Sequence, residues 1–222
     1  MRFKFKNPER NQRHMANLIC LLTIGFWLGS ASAQYQPGPN VDARQLDIAT
    51  VKIGMSIDEA VAALVDRYKI SKEDIKLISS PERINDVLVE IPLALSLTDE
   101  KREGLTIGHP SSGWELDVAF LTKFPYDKND PVEVNRITYI MAWTHENQLS
   151  LRQASLEKYG VPTVDLQAMG FQWCDKPNLS WANCESEAKL SFRGTTLELI
   201  DTRPNRLRRE AMDKANSKKP KI

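Results

Sequence analysis

Of the 222 residues, 30 are Lys or Arg and 29 are Asp or Glu, a formal net charge of +1 that hides an uneven distribution. Residues 34–202 carry 17 basic against 26 acidic side chains, a net −9, whereas residues 203–222 carry eight against two, a net +6. So acidic a body lacks the net basic face that nucleic-acid binding requires, and no nucleic-acid partner is expected.

The N-terminus sets the compartment. Arg2, Lys4, Lys6, Arg10 and Arg13 precede an uncharged run over residues 16–29, which closes on Ala31-Ser32-Ala33. A basic start, an apolar centre and small residues at −3 and −1 are the marks of a secretory signal, with cleavage expected after Ala33. Fourteen uncharged residues fall short of the roughly 20 that a bilayer core demands, so no transmembrane anchor is expected. Cys20 lies near the start of this run instead of following it, which argues against a lipidated start. The expected location is periplasmic or secreted.

Residues 34–50 contain Pro37-Gly38-Pro39 and read as a flexible lead-in. Ser56 and Glu59 form a Ser-x-x-Glu capping box, after which Ile57, Val61, Leu64, Val65 and Tyr68 recur at helical spacing. Strands are expected over 74–80 and 86–97, the second bent or placed at an edge by Pro92. Trp114, Leu116, Val118 and Phe120 alternate with Glu115, Asp117 and Ala119, giving a strand with one wet face. A turn over 127–131 leads to the alternating Ile137, Tyr139, Met141 and Trp143, the clearest hairpin in the chain.

The pattern then restarts. Ser150 and Gln153 have capping-box spacing, Gly160 stands where a helix ends, and Pro162 blocks continuation. Strands follow over 169–174, 187–192 and 195–201, the last two joined at Arg193-Gly194. Residues 55–60 match residues 149–154 in character, 94 positions apart. The expected fold is α+β, built as two helix-plus-antiparallel-strand units over 51–144 and 145–202, with a basic tail over 203–222. Two unrelated helices with a common kind of cap remain the alternative.

After removal of the signal, Cys174 and Cys184 are the two cysteines left. A structural zinc site wants about four Cys/His ligands, and a redox pair wants Cys-x-x-Cys, not a separation of ten. Export favours a disulfide, worth roughly 2–3 kcal/mol for a loop of this length. No metal or other cofactor is expected. Trp173 and Trp181 flank the two cysteines as candidate interface anchors; the alternative is packing within their own lobe.

Gly54-Met55-Ser56 with Glu59-Ala60, a hydrophobic helix, strands and Lys158-Tyr159-Gly160-x-Pro162 resemble a group of small exported bacterial proteins. That group includes the small lipoproteins of the outer-membrane protein assembly machinery and the β-lactamase inhibitor proteins. The resemblance, over residues 51–202, implies protein–protein contact and no catalysis. It transfers no binding residue, and this chain lacks the lipid-bearing cysteine.

Other motifs each have a simpler reading. His109, Ser111 and Ser112, with Glu115 or Asp117 as orienter, could serve a periplasmic hydrolase, but His-Pro-Ser-Ser-Gly is also good turn composition. His145 reads as a loop residue. Asp127, Asn129 and Asp130 supply calcium-type oxygens, yet Pro131 occupies a ligand position and no glycine follows. Asn178-Leu179-Ser180 is a glycosylation sequon that matters only in a eukaryotic secretory pathway. In the tail, Leu207, Ala211 and Ala215 recur at i, i+4 and i+8, so residues 205–215 suit a helix able to touch an anionic surface or the acidic body. Together these features point to a non-catalytic envelope protein that binds another envelope protein, with the hydrolase as the alternative.

Overall fold

The computed structural model describes residues 36–84, 87–99, 110–123 and 125–217. The signal-like segment, Cys20, His109 and the lysines at 218, 219 and 221 lie outside these residues. The α+β class holds in its coarse form: three α-helices accompany an eight-stranded antiparallel sheet and two short hairpins. The first hairpin pairs β1 (Asp47–Ile48) with β2 (Val51–Lys52). Helix α1 (Ile57–Tyr68) follows, with the full capping box. Glu59 N donates to Ser56 Oγ at 3.3 Å, and Ser56 N donates to Glu59 Oε2 at 2.8 Å. Two of the four orphan N–H groups are thereby satisfied. Ala60 and Leu64, one turn apart, are buried.

The division into two separate units does not hold. After α1 come β3 (Lys76–Ile84), β4 (Val87–Thr98), β5 (Trp114–Thr122) and β6 (Val132–Met141) as a meander. Helix α2 (His145–Tyr159) leads to β7 (Val164–Asp165) and β8 (Phe171–Trp173). The hairpin β9 (Pro177–Asn178) and β10 (Asn183–Cys184) precedes β11 (Ala188–Arg193) and β12 (Thr196–Asp201). Strand β12 then pairs with β6, giving one sheet in the order β3-β4-β5-β6-β12-β11-β8-β7. The reason lies in those two strands. Leu197 faces Tyr139 and Leu199 faces Ile137 across the join, and separate units would leave both backbones unpaired beside apolar rows. A single core runs through Leu64 of α1, Leu151 of α2, and Leu116, Val118, Ile137, Leu190 and Leu199 of the sheet.

Three local expectations need correction. Helix α2 begins at His145, with the Thr144 hydroxyl accepting from Asn147 N at 3.1 Å, so Ser150 lies inside the helix. The Gln153 amide bonds Glu157 one turn on and caps nothing. The lead-in is packed, not loose. Gly38 N donates to Pro162 O and Val41 N to Cys174 O, both at 2.8 Å, and Ala43 and Ile48 are buried. The apolar residues after the Pro-Gly-Pro turn supply that attachment. Finally, the second hairpin strand begins at Val132, five residues earlier than its clearest alternation suggests, because a register shift at Ala119/Phe120 interrupts the period. Pro92 interrupts β4 as expected, though not at an edge: it faces Ser79 at a second shift in register, where Leu93 is the extra residue of β4.

Candidate interaction surface

Helices α1 and α2 pack on one face of the sheet, and the opposite face, free of these two helices, is set by register. Residues facing each other across antiparallel strands point to the same side. One row across the opposite face runs Ser96, Asp117, Thr138, Glu198, Ser191 and Gln172. The row beside it runs Ala94, Ala119, Arg136, Ile200 and Lys189, and the row on the other side runs Thr98, Glu115, Ile140, Thr196 and Arg193. Small hydroxyl and aliphatic groups thus alternate with charges on a surface that neither α1 nor α2 covers.

The charges here are arranged unusually. Asp117 and Glu198 share one row and Arg136 and Lys189 the next, each pair two strands apart, or about 10 Å. Among the described residues, every ion pair lies elsewhere. Asp117, Arg136, Lys189, Arg193 and Glu198 therefore have opposite charges within their own surface but no ion-pair partner among the described residues.

The disulfide hairpin walls this face at one end. Cys174 and Cys184 are bonded, with Cα atoms 6.1 Å apart, and both are buried beside Val164 and Leu166. Cys184 N donates to Gln172 Oε1 at 2.9 Å, and Glu185 N to Lys176 O at 2.9 Å. Gln172 is consequently 1% exposed although it belongs to the helix-free row. Gln172, Lys189, Ser191, Arg193, Thr196 and Glu198 line a concavity of about 170 Å³ at the foot of this wall.

The two tryptophans separate. Trp173 is wholly buried, its indole N–H donating to Gly160 O at 3.2 Å and its ring meeting Tyr159 and Phe171. It has no surface to offer a partner, which corrects its place among the interface candidates. Strand alternation decides this: Trp173 shares the inward row with Phe171, facing Leu190 and Phe192. Trp181 is 82% exposed at the tip of the disulfide loop, close in sequence to exposed Leu179.

Of the residues considered for a hydrolase, His109 lies outside the described residues. Ser111 and Ser112 precede β5 in an exposed bend, while Glu115 and Asp117 lie on the helix-free face. His145 is the exposed first residue of α2. Asp127 accepts from Asn129 N at 2.9 Å in a local turn, and Asp130 pairs with Lys123. Among the described residues, no group of three or more His, Cys, Asp or Glu is placed to hold a metal. Asn178 bonds Glu185 across the disulfide loop at 2.5 Å.

Helix α3 (Arg203–Ser217) contacts the body through its cations. Arg206 pairs with Glu187 beside β11, and Arg208 pairs with Glu82 of β3 at 3.0 Å. The Arg206 hydrogen bonds hold the Glu187 carboxyl below the usual carboxylate range. At Glu82 burial pushes upward, but bonds from Thr122 and Arg208 prevail and the group is lowered. Buried Asp201 accepts from Arg203 N at 2.8 Å, with the Arg203 guanidinium 3.2 Å from its other oxygen but outside hydrogen-bonding geometry. No helix among the described residues is long and apolar enough to cross a membrane.

Sequence reasoning identified one wet strand face, at Glu115 and Asp117, but missed Arg136, Thr138, Lys189, Arg193 and Glu198. Their signal was present as polar residues at alternate positions of β6, β11 and β12. What it lacked was the register that places them side by side. No family model matches the chain, and no curated protein or solved structure matches it.

Proposed function

We propose that this is an exported, non-catalytic binding module that docks another envelope protein on the helix-free face of its sheet. One observation carries the reading: five charged side chains on that face lack ion-pair partners among the described residues, although both signs are present. Charge rows of this kind favour a complementary partner and penalise a mismatched one. Exposed Trp181, on a loop closed by the disulfide, supplies an aromatic anchor at low entropic cost. The basic, apolar and small-residue succession before Gln34 supports export. The resemblance to small exported assembly and inhibitor proteins points to the same class of activity.

Charge reversal tests the reading. Asp117→Lys combined with Lys189→Glu alters the face without touching the core. The double variant should keep the wild-type melting temperature within about 2 °C and capture its envelope partner at least about tenfold more weakly. Unchanged capture by a folded double variant contradicts docking on this face.

A further inference from the structure

On the helical side, the C-terminal half of α2 and the last turn of α1 flank a cleft of about 290 Å³. This lies at the small end of the range for ligand sites, roughly 300–1,000 Å³. Its wall is aromatic. Tyr68 and Trp114 stack with centroids 5.0 Å apart and planes 20° apart, and Trp114 stacks on Tyr139 at 5.8 Å and 28°. Tyr159 closes the other side from α2. Burial, aided by the neighbouring Tyr68 hydroxyl and Asp99, pushes the Tyr139 phenol up to about 12, the mark of a poorly hydrated wall.

The charges at the cleft are unequal in availability. Lys158 pairs with Asp47 Oδ2 at 2.6 Å and stands over the Tyr159 ring. The carboxylates nearby are engaged too, Asp47 with Lys158 and Asp99 as acceptor of Trp114 N at 2.7 Å. Arg67 lines the cleft with no ion-pair partner among the described residues, since the adjacent Asp66 pairs with Lys69. Parallel stacking leaves no box of converging ring faces, and Lys158 already occupies Tyr159, so a cationic ligand fits poorly.

We propose that this cleft binds a small aromatic acid, its ring extending the Tyr68–Trp114–Tyr139 stack and its anionic group meeting Arg67. Apolar burial of the ring supplies affinity, and the single unpaired guanidinium supplies the preference for an anion. The site lies on the opposite side of the sheet from the proposed docking face, so either can fail alone.

Isothermal titration of the full chain with benzoate, 2-naphthoate, 2-naphthylmethanol and 2-naphthylmethylammonium is the test. One of the acids should saturate a single site, with 2-naphthoate on the order of tenfold tighter than the alcohol and the ammonium compound weakest. Arg67→Gln should reduce 2-naphthoate to the affinity of the alcohol. Ala154→Trp, which places an indole in the cleft from an exposed helix position, should abolish both. The proposal is overturned if neither acid saturates, if the ammonium compound binds more tightly than 2-naphthoate, or if acid binding survives both substitutions in folded protein.

Discussion

Trp173 and Trp181 stand eight residues apart in the same disulfide segment and have opposite surroundings. Removing the buried indole leaves a cavity and an unpaired Gly160 carbonyl, so Trp173→Ala should cost about 3–5 kcal/mol in chemical denaturation. Trp181→Ala should change stability by no more than about 0.5 kcal/mol, while weakening partner capture. Similar stability losses for the two variants would contradict these assignments. Gly170 is as constrained as Trp173. At φ +125° it occupies backbone space that side chains avoid, and a Cβ there would stand 1.8 Å from Phe192 O. Gly170→Ala should therefore cost about 3 kcal/mol or more and separate β8 from β11. Tyrosine titration gives a further check. Because the folded pKa of Tyr139 is raised from 10.0 to about 12, its stabilisation is present below 10 and lost as pH rises through 12. Ultraviolet titration of the native protein should show Tyr139 ionising well above the ordinary tyrosine value, with Tyr159, raised further by burial, ionising after it, and stability falling above pH 10; ionisation of Tyr139 at the ordinary value contradicts a dry cleft wall.

At the level of elements, α3 and the disulfide hairpin are attached by different physics. Helix α3 is held by arginine–carboxylate pairs at partly exposed positions, each worth about 0–1 kcal/mol. Deleting residues 204–222 should leave the fold intact and cost no more than about 2 kcal/mol; a loss of several kcal/mol would make this helix part of the core. Glu187 and Glu82 both have lowered pKa values, so their stabilisation is present above the ordinary carboxylate value of 4.5 and lost as pH falls through the depressed ones. Amide exchange in α3 should accelerate in that acidic window before the sheet loosens. The hairpin, in contrast, is sealed by a buried disulfide and by Cys184 N on Gln172. Its reduction should cost roughly 2–3 kcal/mol and expose Gln172, with the eight-stranded order retained.

Much of the architecture was legible in local chemistry: the Ser56–Glu59 box, the alternation around Trp114, the turn at Arg193-Gly194 and the cysteine pair. The joining of the halves was not, because β6–β12 pairing depends on rows 60 residues apart in sequence and no short-range motif records it. For the same reason the candidate surface could be read one strand at a time but not assembled. The proposed docking brings another envelope protein onto the face that α1 and α2 leave free. Site-specific photocrosslinking tests this most directly, with the reactive group at Thr138, mid-row on that face, and at Arg152, exposed on α2, as the control. In exporting cells a discrete protein adduct is expected from Thr138, removed by Asp117→Lys with Lys189→Glu, and none from Arg152. The same adduct from Arg152, or no adduct from Thr138 while the protein is still captured with a partner, contradicts it.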